Sequence, residues 1–262
     1  MTIYRRWIWV GVMAGLAVTG CKHHEPQSAP PKAAAKPIAV KQAPPTPIET
    51  KRVELGGPSW NPGWDTFIER SLPSALLTRK VPRDVRRFCP CFFTMSATDK
   101  RAYWAYFFQA LAGAEAGLNA KSNVLHADVD MGIDRVTRER IHSEGLLQLT
   151  YEDEKRYGCN FNWAADRHLP PHDPRRTILK PENNLDCGIR ILKQQIIAER
   201  KPLYSASSYW ATLRPGSLSF QVFARQMTNP PKACGLHVRS TNKEEAHRES
   251  RTNRRSAAIA QP

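Results

Sequence analysis

The segment from residue 96 to residue 116 constrains this chain more than any other, because it can be satisfied only by a long helix with a buried side. Trp104, Phe107, Phe108, Leu111 and Ala112 recur at spacings of three and four, the period of one helical face. Ser96 and Thr98 are each suitable N-caps. Counted in helical steps from Trp104, Phe108 and Leu111 lead to Glu115, so a carboxylate stands at the C-terminal end of an apolar stripe. Burial disfavours the ionised form there and the negative end of the helix dipole acts in the same sense, so Glu115 is expected to hold its proton more readily than a surface glutamate.

Composition limits how much chain can join such a helix. Residues 22–58 are dominated by Pro, Ala, Lys and Gln, which bury too little apolar surface to offset the entropy of ordering, so 21–58 reads as a linker. Residues 237–262 mix Arg, Glu, Ser and Asn and read as a disordered basic tail. The stretch 59–236 between them is rich in Trp, Phe, Tyr and Leu, enough for one domain with its own core. Its pattern is mainly α: a short helical turn at 84–87 and further helices at 151–157, 184–199 and 218–226, with 118–141 a loop carrying a short hairpin.

At the N-terminus, Arg5 and Arg6 precede an uncharged run from Trp7 to Val18. A short apolar run behind positive charge is a signal peptide, here 1–20. The residues Leu16 to Cys21, ending Val18-Thr19-Gly20-Cys21, resemble a bacterial lipobox, which implies lipidation of Cys21, a membrane anchor and export from the cytoplasm. Lys22, and not aspartate, follows that cysteine, which in the same context favours the periplasmic face of the outer membrane. The linker spans roughly 35 Å if flexible and up to about 115 Å if proline-extended. The formal charge of +15 becomes +13 once the segment bearing Arg5 and Arg6 is removed. Outside the cytoplasm such a charge meets phospholipid head groups or the cell-wall polymer, or simply keeps the protein soluble, and nucleic acid is not an expected partner.

A second set of segments gives Glu115 its company. Glu115-Ala116-Gly117-Leu118-Asn119 is followed by Gly145-Leu146-Leu147-Gln148-Leu149, then by Asn184-Leu185-Asp186-Cys187-Gly188-Ile189, then by Ser208-Tyr209-Trp210-Ala211-Thr212. These four blocks, in this order, resemble the lytic transglycosylases of the lysozyme-like superfamily, over roughly residues 76–234, with Arg87-Phe88-Cys89-Pro90 similar to the lead-in of a lipoprotein branch. The resemblance implies an α+β lysozyme-like fold and a monomer acting without cofactor on peptidoglycan glycan strands. It implies Glu115 as catalytic acid and base, and Gly145, Leu146, Gln148, Asn184 and Tyr209 as substrate-binding residues. Physically, Gly145 permits a tight turn, Gln148 can offer donor and acceptor to an acetamido group, and Tyr209 can stack on a sugar or orient Glu115 through its hydroxyl.

The sequence departs from the family where Ala116 stands for the usual serine and Trp210 for the usual asparagine. Two alternatives therefore stay open: a goose-type lysozyme, with Asp128, Asp130 or Asp134 positioning water, and a wall-binding lipoprotein that does not cleave. With Cys21 lipidated, five cysteines remain, an odd number whose connectivity the sequence alone does not fix. In the light of the resemblance, Cys159 and Cys187 flank the cleft segments and Cys89 and Cys234 bracket the domain, so those two bridges are expected and Cys91 is left free. Cys89-Pro-Cys91 is too closely spaced for zinc, and no metal is expected.

Overall fold

The computed structural model describes residues 58–126 and 132–235. The expected lipidation site Cys21, the linker, the tail, Asp128 and Asp130 lie outside them. Six α-helices and one small sheet make up the described fold: α1 (Pro62–Ser71), α2 (Ala97–Ala116), β1 (Asn123–Leu125), β2 (His142–Glu144), α3 (Glu152–Tyr157), α4 (Trp163–Asp166), α5 (Pro181–Lys193) and α6 (Leu218–Gln226), with short 3-10 turns in several of the connections. The architecture is mainly α, as the periodicity predicts.

Helix α2 starts where its cap dictates. The Ser96 hydroxyl oxygen accepts from the Asp99 amide at 3.1 Å and donates to the Asp99 carboxylate at 2.7 Å, satisfying one of the donors a helix start leaves unpaired. It ends at Gly117, whose left-handed φ of 57° turns the chain out of the helix. The apolar stripe is wider than the sequence suggested: besides Trp104, Phe107, Phe108, Leu111 and Ala112, the residues Tyr103, Ala105 and Ala110 are buried. A helix apolar on most sides is a central one, and α2 packs against α1 and α6. Its rings meet edge to face, Trp104 with Phe107 at 5.2 Å and Phe107 with Phe223 of α6 at 5.4 Å, the arrangement aromatic quadrupoles favour.

Helix α5 approaches this core through Gly188. A side chain there would stand 2.2 Å from a Leu147 methyl and 3.2 Å from the Phe108 ring, so only glycine lets the backbone come that near. The helix begins three residues before the predicted start, because Pro181 occupies its first turn, where a missing N–H costs nothing. It continues into a π-helical turn at Gln194–Ala198. Helix α1 was not foreseen; Asn61 caps it, Pro62 opens it, and its buried Ile68 is the signal a short helix offers. The hairpin pairs Asn123 with Glu144 and Leu125 with His142, antiparallel, so its second strand lies just beyond the loop predicted for it.

Two disulfides close the described chain, Cys89–Cys234 and Cys159–Cys187, the two pairings expected from the resemblance. The expectation of a free Cys91 does not hold, since none of the described cysteines is a free thiol. No described helix is long and apolar enough to cross a membrane.

Candidate active site

Glu115 occupies the last turn of α2, where the helix emerges from the core. Its Oε1 is buried and has no hydrogen-bond partner. Burial raises its pKa above the ordinary carboxylate value. The hydroxyl and backbone amide of Thr212 and the charge of Arg214 favour the anion and offset part of that effect. A carboxyl group with this balance can carry a proton to higher pH than a solvated one while keeping neighbours that favour its ionised form.

Thr212 is placed by a strap, residues 208–214, that two of its side chains pin to the rest of the domain and a third braces from within. The Tyr209 hydroxyl donates to Asp153 Oδ2 at 2.6 Å, the Trp210 indole N–H donates to the Leu147 carbonyl at 2.9 Å, and the Arg214 guanidinium donates to the Ser208 and Tyr209 carbonyls. Trp210 is thus a buried anchor that ties the strap to the Gly145–Gln148 turn. Tyr209 does not direct its hydroxyl to Glu115; the group that does approach is Thr212. No signal in the sequence distinguishes Thr212 from its neighbours except its distance of three residues from Tyr209.

The Gly145–Gln148 turn is fixed from beneath. Gly145 has φ of 74°, and a side chain on it would meet Asn184 Nδ2 at 2.3 Å, so glycine is required on both grounds. Asn184 is fully buried. Its Oδ1 accepts from the Leu147 amide at 2.8 Å, and its Nδ2 donates to the carbonyls of Glu144 and Ile178, both at 3.1 Å. Gln148 donates to the Gly145 carbonyl at 2.9 Å, leaving its own side-chain oxygen as acceptor. The resemblance puts Asn184 and Leu146 among the substrate-binding residues, and the fold buries both fully. Asn184 spends its hydrogen bonds on backbone, because a turn with left-handed residues at both Gly145 and Gln148 leaves carbonyls and amides that need a partner.

Sequence reasoning also passed over Glu144 and Arg176. They form a buried, two-pronged ion pair, with contacts of 2.6 and 3.2 Å, and burial pushes Glu144 up to about 7 despite the guanidinium. Asp134, a candidate water-positioning acid, accepts from the Val136 and Thr137 amides of its own loop, as a turn-forming aspartate does. Among the described residues no cluster of His, Cys, Asp or Glu is placed to hold a metal ion.

Comparison with known proteins gives a likeness of fold. No protein-family profile matches the chain, and no curated protein matches it. Among solved structures it is similar to Bd0314 DslA, a Bdellovibrio protein, in its wild-type form 2: 23% identity, 64% of this chain and 89% of that one covered, and a TM-score of 0.51. A mutant of the same protein, with one glutamate exchanged for glutamine, aligns at 22% identity over 66% of this chain and 91% of that one, again with a TM-score of 0.51. At this identity the likeness concerns architecture: the chain shares the fold of Bd0314 DslA over about two thirds of its length.

Proposed function

We propose that this chain is a peptidoglycan lytic transglycosylase, tethered through lipidated Cys21 to the periplasmic face of the outer membrane and cleaving the β-1,4 bond between N-acetylmuramic acid and N-acetylglucosamine. One observation carries the reading: a carboxyl group at the end of the central helix, its pKa raised by desolvation and one of its oxygens buried without a hydrogen-bond partner among the described residues. The order of the four sequence blocks and the shared architecture support it.

The reaction needs one carboxyl group. Glu115 donates its proton to the glycosidic oxygen as the bond to C1 of the muramoyl sugar breaks, and the substrate's own acetamido oxygen takes up the positive charge. The resulting carboxylate removes the proton of the C6 hydroxyl as that oxygen bonds to C1, leaving a 1,6-anhydro end and a reprotonated Glu115. Substrate assistance of this kind is one of the exceptions to the two-carboxylate arrangement of glycosidases. Thr212 and Arg214 favour the carboxylate half of the cycle and burial favours the acid half, so the group can serve in both steps.

The test is muropeptide release from purified peptidoglycan by the wild type and by Glu115→Gln. Anhydro-muropeptides from the wild type, lost in the variant, are the expected result. Products with reducing ends assign a hydrolase of the goose type instead. Release by neither protein, with binding retained in both, assigns a wall-binding lipoprotein.

A further inference from the structure

Away from Glu115 the domain carries a pocket of about 300 Å³ lined by neither Glu115, Thr212 nor Tyr209. Its lining includes the buried Glu144–Arg176 pair. One side is aromatic: Trp163 stands edge to face with Tyr151 at 5.0 Å, and Tyr151 in turn faces the Arg176 guanidinium. The exposed lining carries Glu139, Arg140 and Arg167, none of which forms an ion pair among the described residues. Arg176 Nε is buried without an acceptor, a donor the protein leaves unmatched.

The charge pattern selects the ligand class. Asp134, Glu139 and Glu144 line one recess together with Arg140, Arg167 and Arg176. A lone anion would be opposed by the carboxylates and a lone cation by the guanidiniums. A neutral sugar could stack on Trp163, but it would leave the unpaired charges of Arg140, Arg167 and Glu139 without counter-ions. A small molecule bearing carboxylates and an ammonium group on a short partly apolar stem answers all of these features, through charge-assisted hydrogen bonds that are stronger than neutral ones. We propose that this pocket binds a short zwitterionic peptide, and, resting on the reading of the chain as a wall-cleaving enzyme, that the peptide is the stem carried by the glycan strand. Strand β2 supplies Glu144 and His142 to the pocket and runs directly into the Gly145–Gln148 turn, which Trp210 ties to the strap beside Glu115. One continuous backbone segment therefore joins the pocket to the turn tied to the strap beside Glu115.

The test is titration of the full chain with free L-alanyl-γ-D-glutamyl-meso-diaminopimelate, followed by calorimetry and by NMR of the Trp163 indole. Saturable binding with a dissociation constant between roughly 10 μM and 1 mM is expected. It should weaken about tenfold when the peptide's carboxylates are amidated or its amine is acetylated, and by a similar factor in Arg167→Glu or Trp163→Ala. Arg167 is exposed, so its charge reversal keeps the test valid if the tryptophan variant fails to fold. Glu115→Gln should bind the peptide as the wild type does, so loss of the cleavage reading shows in muropeptide release and loss of the peptide site shows here. Absence of saturable binding, or binding that both pocket variants leave unchanged, overturns the proposal. So does a peptide-free chitooligosaccharide that shifts the Trp163 indole and competes for the site, because it would make the pocket a sugar subsite.

Discussion

Glu115 and Glu144 are two glutamates largely removed from water, and the fold treats them in opposite ways. Glu144 receives both prongs of a buried guanidinium, so its charge is matched within the protein. Glu115 has a buried oxygen with no partner and only Thr212 and Arg214 to steady its anion. Burial alone therefore does not mark a reactive acid. What separates the two is whether the protein itself completes the hydrogen bonding or leaves it to be completed by something that binds. An unmatched buried oxygen is costly to stability, and at Glu115 it leaves the carboxyl group open to whatever binds beside it.

The contrast can be broken by exchanging each residue in turn. The largest effect is expected at Glu115: Glu115→Gln should lower the rate of muropeptide release about 10⁴-fold, the upper range for removal of a general acid and base, while the folded structure stays intact by circular dichroism. Arg176→Met should do the reverse, costing roughly 3–5 kcal/mol in urea denaturation because it strands a buried carboxyl group, with most of the loss recovered in the double variant with Glu144→Leu. Equal loss of activity without loss of stability in Arg176→Met would erase the distinction drawn between the two acids.

Smaller effects sharpen it. Gly145→Ala should cost about 2–3 kcal/mol, since it forces a side chain into a left-handed backbone and against Asn184. The pH dependence of stability gives a signed check on Glu115 itself. Its folded pKa is raised, so the folded state binds the proton more tightly than the unfolded one. Wild type and Glu115→Gln should differ most above the folded pKa, where ionised Glu115 destabilises the wild type, and this difference should vanish below the unfolded pKa. Parallel stability curves across acid and neutral pH would remove the raised pKa from the account. The least effect is expected from Thr212→Val. Losing a hydroxyl that favours the anion should move the alkaline limb of the kcat/KM profile to higher pH, with KM little changed.

The parts of the fold that local pattern determines were open to reading. Helix α2 follows from its own period and from Ser96, and α6 matches its predicted bounds at both ends because Ser217 caps it and its apolar residues are local. Helix α5 came out displaced at its start, where a proline reads equally as a boundary or as a first turn. What the sequence hides are associations between distant segments. Glu144 meets Arg176 only because the loop after α4 folds back over β2, and Thr212 reaches Glu115 only because Asp153 and Leu147 pin the strap. Asn184 illustrates a subtler limit: its position in the motif suggests a ligand contact, whereas its full burial and three backbone partners make it the support of a turn.

The Cys89–Cys234 bridge spans a sequence separation of 145 and encloses every residue of the candidate site. Such a loop restricts the unfolded chain strongly, by an amount on the order of 5 kcal/mol in the chain-entropy account. The acid and the residue that steadies its anion sit almost a hundred positions apart inside that ring, so the bridge limits how far the two can drift from one another when the chain unfolds.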